Sequence, residues 1–214
     1  MNPVHTWEFI RNYIREPRVV GAIAPSSRAL ARAIFEPYRQ SSTTKKTLLE
    51  IGAGTGAITR HLGPLLGDED ELDICEIQDD FCEILERDIL TLEEFRPAMA
   101  RGAVRMLRQP AQQIAHHRRY DFVLCGLPFT SFEVKDVKDV FSAMRRCLKP
   151  GGVFTYYDYV GLRKLSEVFS FKRGRSRVRD VSVYLKEQTR KHQFHRKAVL
   201  QNLPPAWARH LRFD

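Results

Sequence analysis

The chain has 214 residues, enough for one domain with a proper core, and its apolar and charged fractions, 43% and 29%, are ordinary for a soluble fold. No stretch approaches the roughly 18 apolar residues needed to cross a bilayer, and Trp7 and Glu8 interrupt the place of a signal peptide's apolar region, so neither a membrane span nor export is expected. Net charge is +9 and its excess lies late: residues 161–214 hold 14 Lys/Arg against 4 Asp/Glu, whereas the first 160 hold 21 against 22.

In chain order, Val4 to Arg15 has the spacing of a helix with Trp7, Ile10 and Ile14 on one side and Phe9 and Tyr13 beside them. Arg11, Arg15 and Arg18 supply positive charge, so this stripe suits a lipid interface or simple packing on the domain. After Val19-Val20-Gly21-Ala22-Ile23-Ala24-Pro25, Ser26 or Ser27 is placed to cap a helix over Arg28–Phe35. Ser41 to Thr44 is a polar loop. From there strands and helices alternate: strand 48–51, helix 56–66, strand 72–76, helix 81–92, strand 103–107, strand 120–125, helix 135–148 and strand 153–159. This alternation implies a parallel sheet covered on both faces. Residues 178–192 fit a helix or a strand, and 194–203 and 206–213 fit two strands turned at Leu203-Pro204-Pro205, a terminal antiparallel hairpin. The four cysteines, at 75, 82, 125 and 147, have no metal or redox spacing. Cys75 and Cys125 lie in apolar runs, which suits buried thiols in a reducing cytoplasm.

The stretch Leu48-Leu49-Glu50-Ile51-Gly52-Ala53-Gly54-Thr55-Gly56 carries the most chemistry. A strand ends in a carboxylate, and three alternating glycines let backbone bend sharply close to a ligand. The expected helix beyond would aim free N–H groups at it. Two nucleotide-like cofactors fit. Gly52-x-Gly54-x-x-Ala57 satisfies a loose dinucleotide fingerprint, with Glu76 about twenty residues on where a ribose-binding acid belongs. The same residues, as Glu-x-Gly-x-Gly-x-Gly, resemble the first motif of class I S-adenosylmethionine (SAM) methyltransferases, in which the acid ending the second strand, here Glu76, binds the ribose hydroxyls.

The later motifs favour SAM. Cys125-Gly126-Leu127-Pro128-Phe129 puts a proline turn at the end of the fourth strand, which in an open α/β sheet faces the ligand. Amino-group methyltransferases carry a related turn whose polar first residue binds the target amine, but here that place is Gly126, which has no side chain to accept from a nucleobase amine. The chain more closely resembles the bacterial phospholipid N-methyltransferases, which methylate phosphatidylethanolamine. The likeness rests on Val20-Gly21-Ala22-Ile23-Ala24-Pro25-Ser26-Ser27, the Glu50 to Gly56 turn, Cys125-Gly126-Leu127-Pro128 and the ending Val199-Leu200-Gln201-Asn202-Leu203-Pro204-Pro205-Ala206. Cys125 departs from the serine expected there, and Gln109 stands near where relatives carry an acid beside the adenine.

The resemblance implies an α/β class I methyltransferase (Rossmann-like) fold, a mostly parallel seven-stranded sheet with helices on both faces and a C-terminal antiparallel hairpin. Residues 1–40 would form an amphipathic helix and covering segment, and residues 45–214 the SAM-binding domain. It implies SAM as cofactor, S-adenosylhomocysteine as product, and Glu50, Gly52, Gly54, Gly56, Glu76, Gln109, Cys125 and Ser26 as cofactor-binding residues. At the acceptor, the backbone carbonyls of Cys125 or Gly126 would orient the amine. Tyr157, with Tyr156 and Tyr159, could pack on a methylated ammonium, or could be ordinary strand-end aromatics. Asp158 is a candidate base, with a structural acid as the alternative. Leu127, Pro128 and Phe129 would line the acceptor site.

Lys172, Arg173 and Arg175, in the densest basic block, would meet lipid phosphates; such a block also suits nucleic acid, or a solvated loop. Adjacent His116 and His117 point to opposite sides of an extended chain and have no spaced partner, so no metal is expected. The expected function is methylation of the phosphatidylethanolamine amine, and of its methylated intermediates, by a cytoplasmic protein docking peripherally on the inner membrane face. An RNA or DNA adenine methyltransferase and a non-catalytic SAM-fold membrane-binding protein are the rivals.

Overall fold

The computed structural model describes residues 27–160, 172–202 and 204–213, with the backbone alone described for 172–175. The expected helix at Val4–Arg15 and Ser26 lie outside the described residues. Seven strands form one sheet: β1 (Thr47–Ile51), β2 (Glu71–Cys75), β3 (Val104–Leu107), β4 (Tyr120–Cys125), β5 (Leu148–Tyr159), β6 (Gln193–Val199) and β7 (Ala206–Arg212). Their order is β3-β2-β1-β4-β5-β7-β6. The first five are parallel, and β7 runs antiparallel between β5 and β6. The expected seven-stranded, mostly parallel sheet with its closing hairpin is therefore present.

All five residues of β1 are buried, because both faces are covered. On one face Leu48, Leu72, Ile74 and Leu124 pack under helix α1 (Arg28–Ile34), through Leu30, Ala31, Ala33 and Ile34. On the other, Leu49, Ile51, Val123 and Phe154 meet helices α5 (Val134–Cys147) and α6 (Lys172–His192). The apolar positions 137, 140, 141 and 144 of α5, spaced for one helical face, are all buried here. Between them lie the short helices α2 (Glu36–Gln40), α3 (Asp79–Ile84) and α4 (Arg96–Ala100).

Three expectations need correction. Residues 56–66 form two short 3-10 turns, Thr59–His61 and Gly63–Leu65, in place of a helix. Pro64 has no N–H for a helical bond, and Gly63 lies against the Phe95 ring, where a Cβ would come within 2.9 Å. The second helix, expected over 81–92, starts at Asp79 and widens into a π turn at Leu85–Ile89. The basic block, open to reading as a solvated loop, is the start of the 21-residue α6, anchored by buried Val178, Val181 and Leu185.

Buried acids tie the sheet away from its carboxyl ends. Asp73, 1% exposed, accepts from the Tyr120 hydroxyl (2.6 Å), Arg105 Nε (2.7 Å) and Arg119 Nε (3.3 Å). Burial, and then this bond to Asp73, push the Tyr120 phenol above its ordinary pKa. Asp70 accepts from the Tyr38 hydroxyl and from Lys46 N–H (2.7 Å), and Asp121 takes Thr47 N–H (2.8 Å) and Lys149 Nζ (2.7 Å). Asp73→Ala leaves a buried phenol and a partly buried guanidinium without their acceptor. We expect it to cost about 2–4 kcal/mol of unfolding free energy in urea titration, against less than about 1 for the exposed pair lost in Asp139→Ala.

Candidate active site

In sheets of this order ligands bind outside the strands' carboxyl ends where the connections diverge, here between β1 and β4. The two strand ends are in backbone contact: Gly126 N–H donates to the Ile51 carbonyl (2.8 Å), and Gly52 N–H to the Cys75 carbonyl (2.8 Å). A Cβ at Gly126 would stand 2.7 Å from the Gly52 carbonyl oxygen, so only glycine allows this approach. That gives Gly126 a structural reason independent of any acceptor.

The turn after β1 has positive φ at Gly52 (66°), Gly54 (57°) and Gly56 (80°). Gly54 faces open space, with nothing within 4 Å of where its Cβ would be. Its N–H donates to Glu76 Oε2 (2.9 Å), while Oε1 of the same carboxylate accepts from Ile77 N–H (2.8 Å) and Gln78 N–H (3.0 Å). Glu76, just past β2, thus holds the glycine turn and the next loop together. Ile51, Gly52, Cys75, Glu76, Ile77, Gln109, Ala111 and Leu127 line a narrow cleft at this point.

Glu50 is the second acid of the site and is 2% exposed. Its Oε2 has no hydrogen-bond partner at ordinary distance, and the Thr59 hydroxyl lies nearby. Burial raises the Glu50 pKa to about 7; the neighbouring Glu76 charge adds to this, and Thr59 opposes it. A buried, unpartnered carboxylate oxygen suits the ammonium of an amino-acid-like ligand. With the open approach at Gly54 and the acid after β2, these residues fit SAM.

The structure brings Gly52, Glu76, Gln109 and Leu127 together around one cleft, with Gly54 bonded to Glu76 at its edge, whereas Glu50 lines a small void under α1 and α2 with Ile34, Tyr38 and Thr155, and Gly56 is buried against Leu85 and Ile89. It separates others. The Cys125 thiol, 1% exposed, faces the core, burial pushes it up to about 12, and the residue does not line the cleft. Phe129 and Tyr156 are core residues as well: their rings pack on each other (5.6 Å) and on Phe141, which removes them from acceptor contact. Pro128 is half-buried, between Leu127 and the Phe129–Ser131 turn. Tyr157 lies half-buried, edge-on to Tyr159 (5.7 Å). Asp158 is ion-paired to Arg209 (3.3 Å), a bond a free base would not have. Lys172, Arg173 and Arg175 lie on the first turn of α6. Ser27 caps α1, accepting from Leu30 N–H (3.1 Å). His116 sits 4.0 Å from Asp73 and edge-on to Tyr120.

Reading by motif missed the apolar lining, Ile77 and Ala111, although Ile77 directly follows the acid that ends β2. It also missed Asn202, 2% exposed, whose Oδ1 accepts from Ser27 N–H (3.0 Å). No helix among the described residues is long and apolar enough to cross a membrane.

Residues 49–154 match the family model described as a methyltransferase domain. An ornithine lipid N-methyltransferase of Singulisphaera acidiphila is 28% identical over 148 residues, spanning 68% of this chain and 73% of that protein. The fold is shared with an S-adenosyl-L-methionine-dependent methyltransferase from Methanococcus maripaludis, so described provisionally, at TM-score 0.57 and 17% identity, covering 98% of this chain and 94% of that one. It is shared too with the glycopeptide N-methyltransferase MtfA complexed with sinefungin, at TM-score 0.64 and 14% identity, covering 91% and 89%. The chain carries a class I SAM-dependent methyltransferase domain. It is a SAM-dependent methyltransferase, and SAM is its cofactor.

Two outcomes test this site. Because folding raises the Glu50 pKa above its ordinary 4.5, the ligand-free fold loses stability as pH rises from about 4.5 through 7 and is level above. Glu50→Gln should therefore raise the ligand-free melting temperature at pH 8, by about 1–3 kcal/mol in free energy, and change it little at pH 4.5. In the wild type a bound cation favours ionised Glu50, so calorimetry near pH 6.5 in buffers of differing ionisation enthalpy should show proton release that the variant lacks. Gly126→Ala must displace the Gly52 carbonyl, and should weaken SAM binding at least about tenfold in the same titration.

Proposed function

We propose that the protein is a lipid N-methyltransferase that methylates the primary amine of phosphatidylethanolamine at a membrane surface. The observation that carries this reading is the 148-residue similarity to a lipid N-methyltransferase, joined to the phospholipid N-methyltransferase motifs of the sequence. The turn after β4 agrees with it. With Gly126 barred from bearing a side chain, the turn offers an amine only backbone carbonyls and the apolar Leu127 and Pro128, which suits an aliphatic amine better than a nucleobase.

SAM supplies an electrophilic methyl group and leaves as S-adenosylhomocysteine. The protein's work is to align the amine nitrogen with it, and such positioning lowers barriers by several kcal/mol, up to roughly 7–11. Glu50, the glycine turn, Glu76 and Gln109 fix the donor side, and Gly126, Leu127 and Pro128 the acceptor side, with Tyr157 next to them. Asp158, held by Arg209, orients the end of β5, and the proton lost by the ammonium leaves to water. The cations at the start of α6, Lys172, Arg173 and Arg175, meet lipid phosphates on the cytoplasmic face.

Labelled SAM offered with phosphatidylethanolamine vesicles, ornithine lipid dispersions and total RNA should place label in phosphatidylethanolamine. Label in ornithine lipid alone would move the acceptor to that lipid, and label in RNA alone would overturn the reading. Changing Lys172, Arg173 and Arg175 to Glu should weaken binding to anionic vesicles by about 1 kcal/mol or more per residue at low salt, with the difference shrinking as salt rises.

A further inference from the structure

We propose that the closing β-ribbon is itself a membrane-contact element, with Leu200 and Val160 as the residues that enter the lipid. The inference rests on the lipid reading above: Leu200 lies in the Val199–Ala206 ending that supports that reading, and Val160 lies outside every motif.

The ribbon of β5, β7 and β6 ends at the same edge of the sheet as the cofactor cleft, since β5 runs parallel to β1 and β4. Tyr159 and Val199 both pair with Ala206 at that end, so Val160 and Leu200 are the next residues outward on either side of β7. The Val160 N–H donates to the Pro205 carbonyl (2.6 Å), which ties the end of β5 to the turn before β7. Leu200 is 77% exposed and Val160 47%.

Single exposed apolar residues are common and carry no meaning. Here aromatics and then arginines lie on the rows behind the tip, while exposed Phe194 lies at the far end of β6, outside this set. Trp207 sits one register row deeper than Ala206, paired with Ala198 and Asp158, and Tyr159 and Tyr157 flank it on the other face. Arg196 and Arg209 pair with each other a further two rows down, with the Arg196 guanidinium over the Trp207 ring at 4.9 Å. At about 3.3 Å per residue, the aromatics lie roughly 7 Å and the arginines roughly 13 Å behind the apolar tip. Apolar tip, aromatic belt and cations is the order in which a bilayer presents acyl chains, interface and phosphates. A soluble protein partner would not require that depth profile, so the surface fits a phospholipid bilayer.

The same turn is tied to α1. Two residues beyond Leu200, buried Asn202 accepts from the N–H of Ser27, the N-cap of α1, and its Nδ2 donates to the Pro204 carbonyl (2.9 Å).

The test uses the full chain and vesicles of phosphatidylethanolamine and phosphatidylglycerol, with co-sedimentation as readout. Leu200→Asp and Val160→Asp should each weaken partitioning about tenfold or more, and Leu200→Phe should retain it. Met99→Asp removes an apolar side chain of similar exposure (42%) on α4 and should change nothing. A SAM-induced rise in melting temperature equal to wild type shows each variant to be folded. Wild-type protein that does not sediment, tip variants that bind like wild type, or an equal loss with Met99→Asp would each overturn the proposal. Turnover on short-chain phosphatidylethanolamine below its micelle concentration reports the acceptor separately. If it fails while vesicle binding still depends on the tip, the acceptor reading falls and the contact surface stands.

Discussion

The close approach of β1 and β4 at their carboxyl ends is the constraint on which the site depends. One bond, Gly126 N–H to the Ile51 carbonyl, brings the two turns together, and the Gly52 carbonyl then fills the space where any side chain at 126 would be. The glycine at the head of the β4 turn is therefore a consequence of packing. Its chemical result is that the acceptor side presents carbonyls and apolar surface. Leu127 follows from the same contact: it lies over Gly52, where a Cβ would come within 2.5 Å of its side chain, and so it forms part of the cleft wall. Packing between two loops thus decides what kind of amine the site can receive.

Charge is distributed along the sheet in a way that separates stability from binding. Asp70, Asp73 and Asp121 are saturated by hydroxyl, backbone and cationic donors. Asp70 and Asp73 behave as ordinary buried acids whose desolvation is offset by partners, and Asp121 is half-buried. At the carboxyl end the two glutamates differ. Glu76 spends its oxygens on three backbone N–H groups, so its role in the ligand-free protein is to shape the turn. Glu50 keeps an oxygen unpartnered in a buried site with a like charge nearby, and burial raises its pKa above the ordinary carboxylate range. Such a group is unfavourable for folding and favourable for a cation, the usual relation between a binding residue and the stability it gives up.

Much of this was legible in the sequence because the relevant signals are local. Apolar runs bounded by glycine and acid gave β1, β2 and β4 within a residue or so, and the spacing of 137, 140, 141 and 144 gave α5. What was not legible depends on contacts between distant residues. The segment after Gly56 carries helix-like apolar spacing, but the ring of Phe95 occupies the space beside Gly63 and Pro64 breaks the ladder, so it winds as 3-10 turns. Phe129 reads as an acceptor-site aromatic by its place after Pro128, yet Phe141 and Tyr156 supply a better partner surface inside the core. The charge density from Lys172 to Arg179 masks the apolar spacing of 178, 181 and 185 that makes it a helix.

The ribbon at the sheet's end meets two demands at once. β6 is an edge strand, and an edge with unpaired backbone invites association unless charge blocks it. His195, Arg196 and Lys197 stand exposed along it, with Lys197 paired to Glu36 (2.9 Å), and these charges suffice to protect the edge. Edge protection does not call for an apolar residue at the turn; a polar turn would serve it better. Leu200, 77% exposed, stands two residues from the Asn202 bond to the start of α1. With β7 inserted antiparallel beside β5, the turn between β6 and β7 and the first described helix meet at the rim formed by the carboxyl ends of the parallel strands.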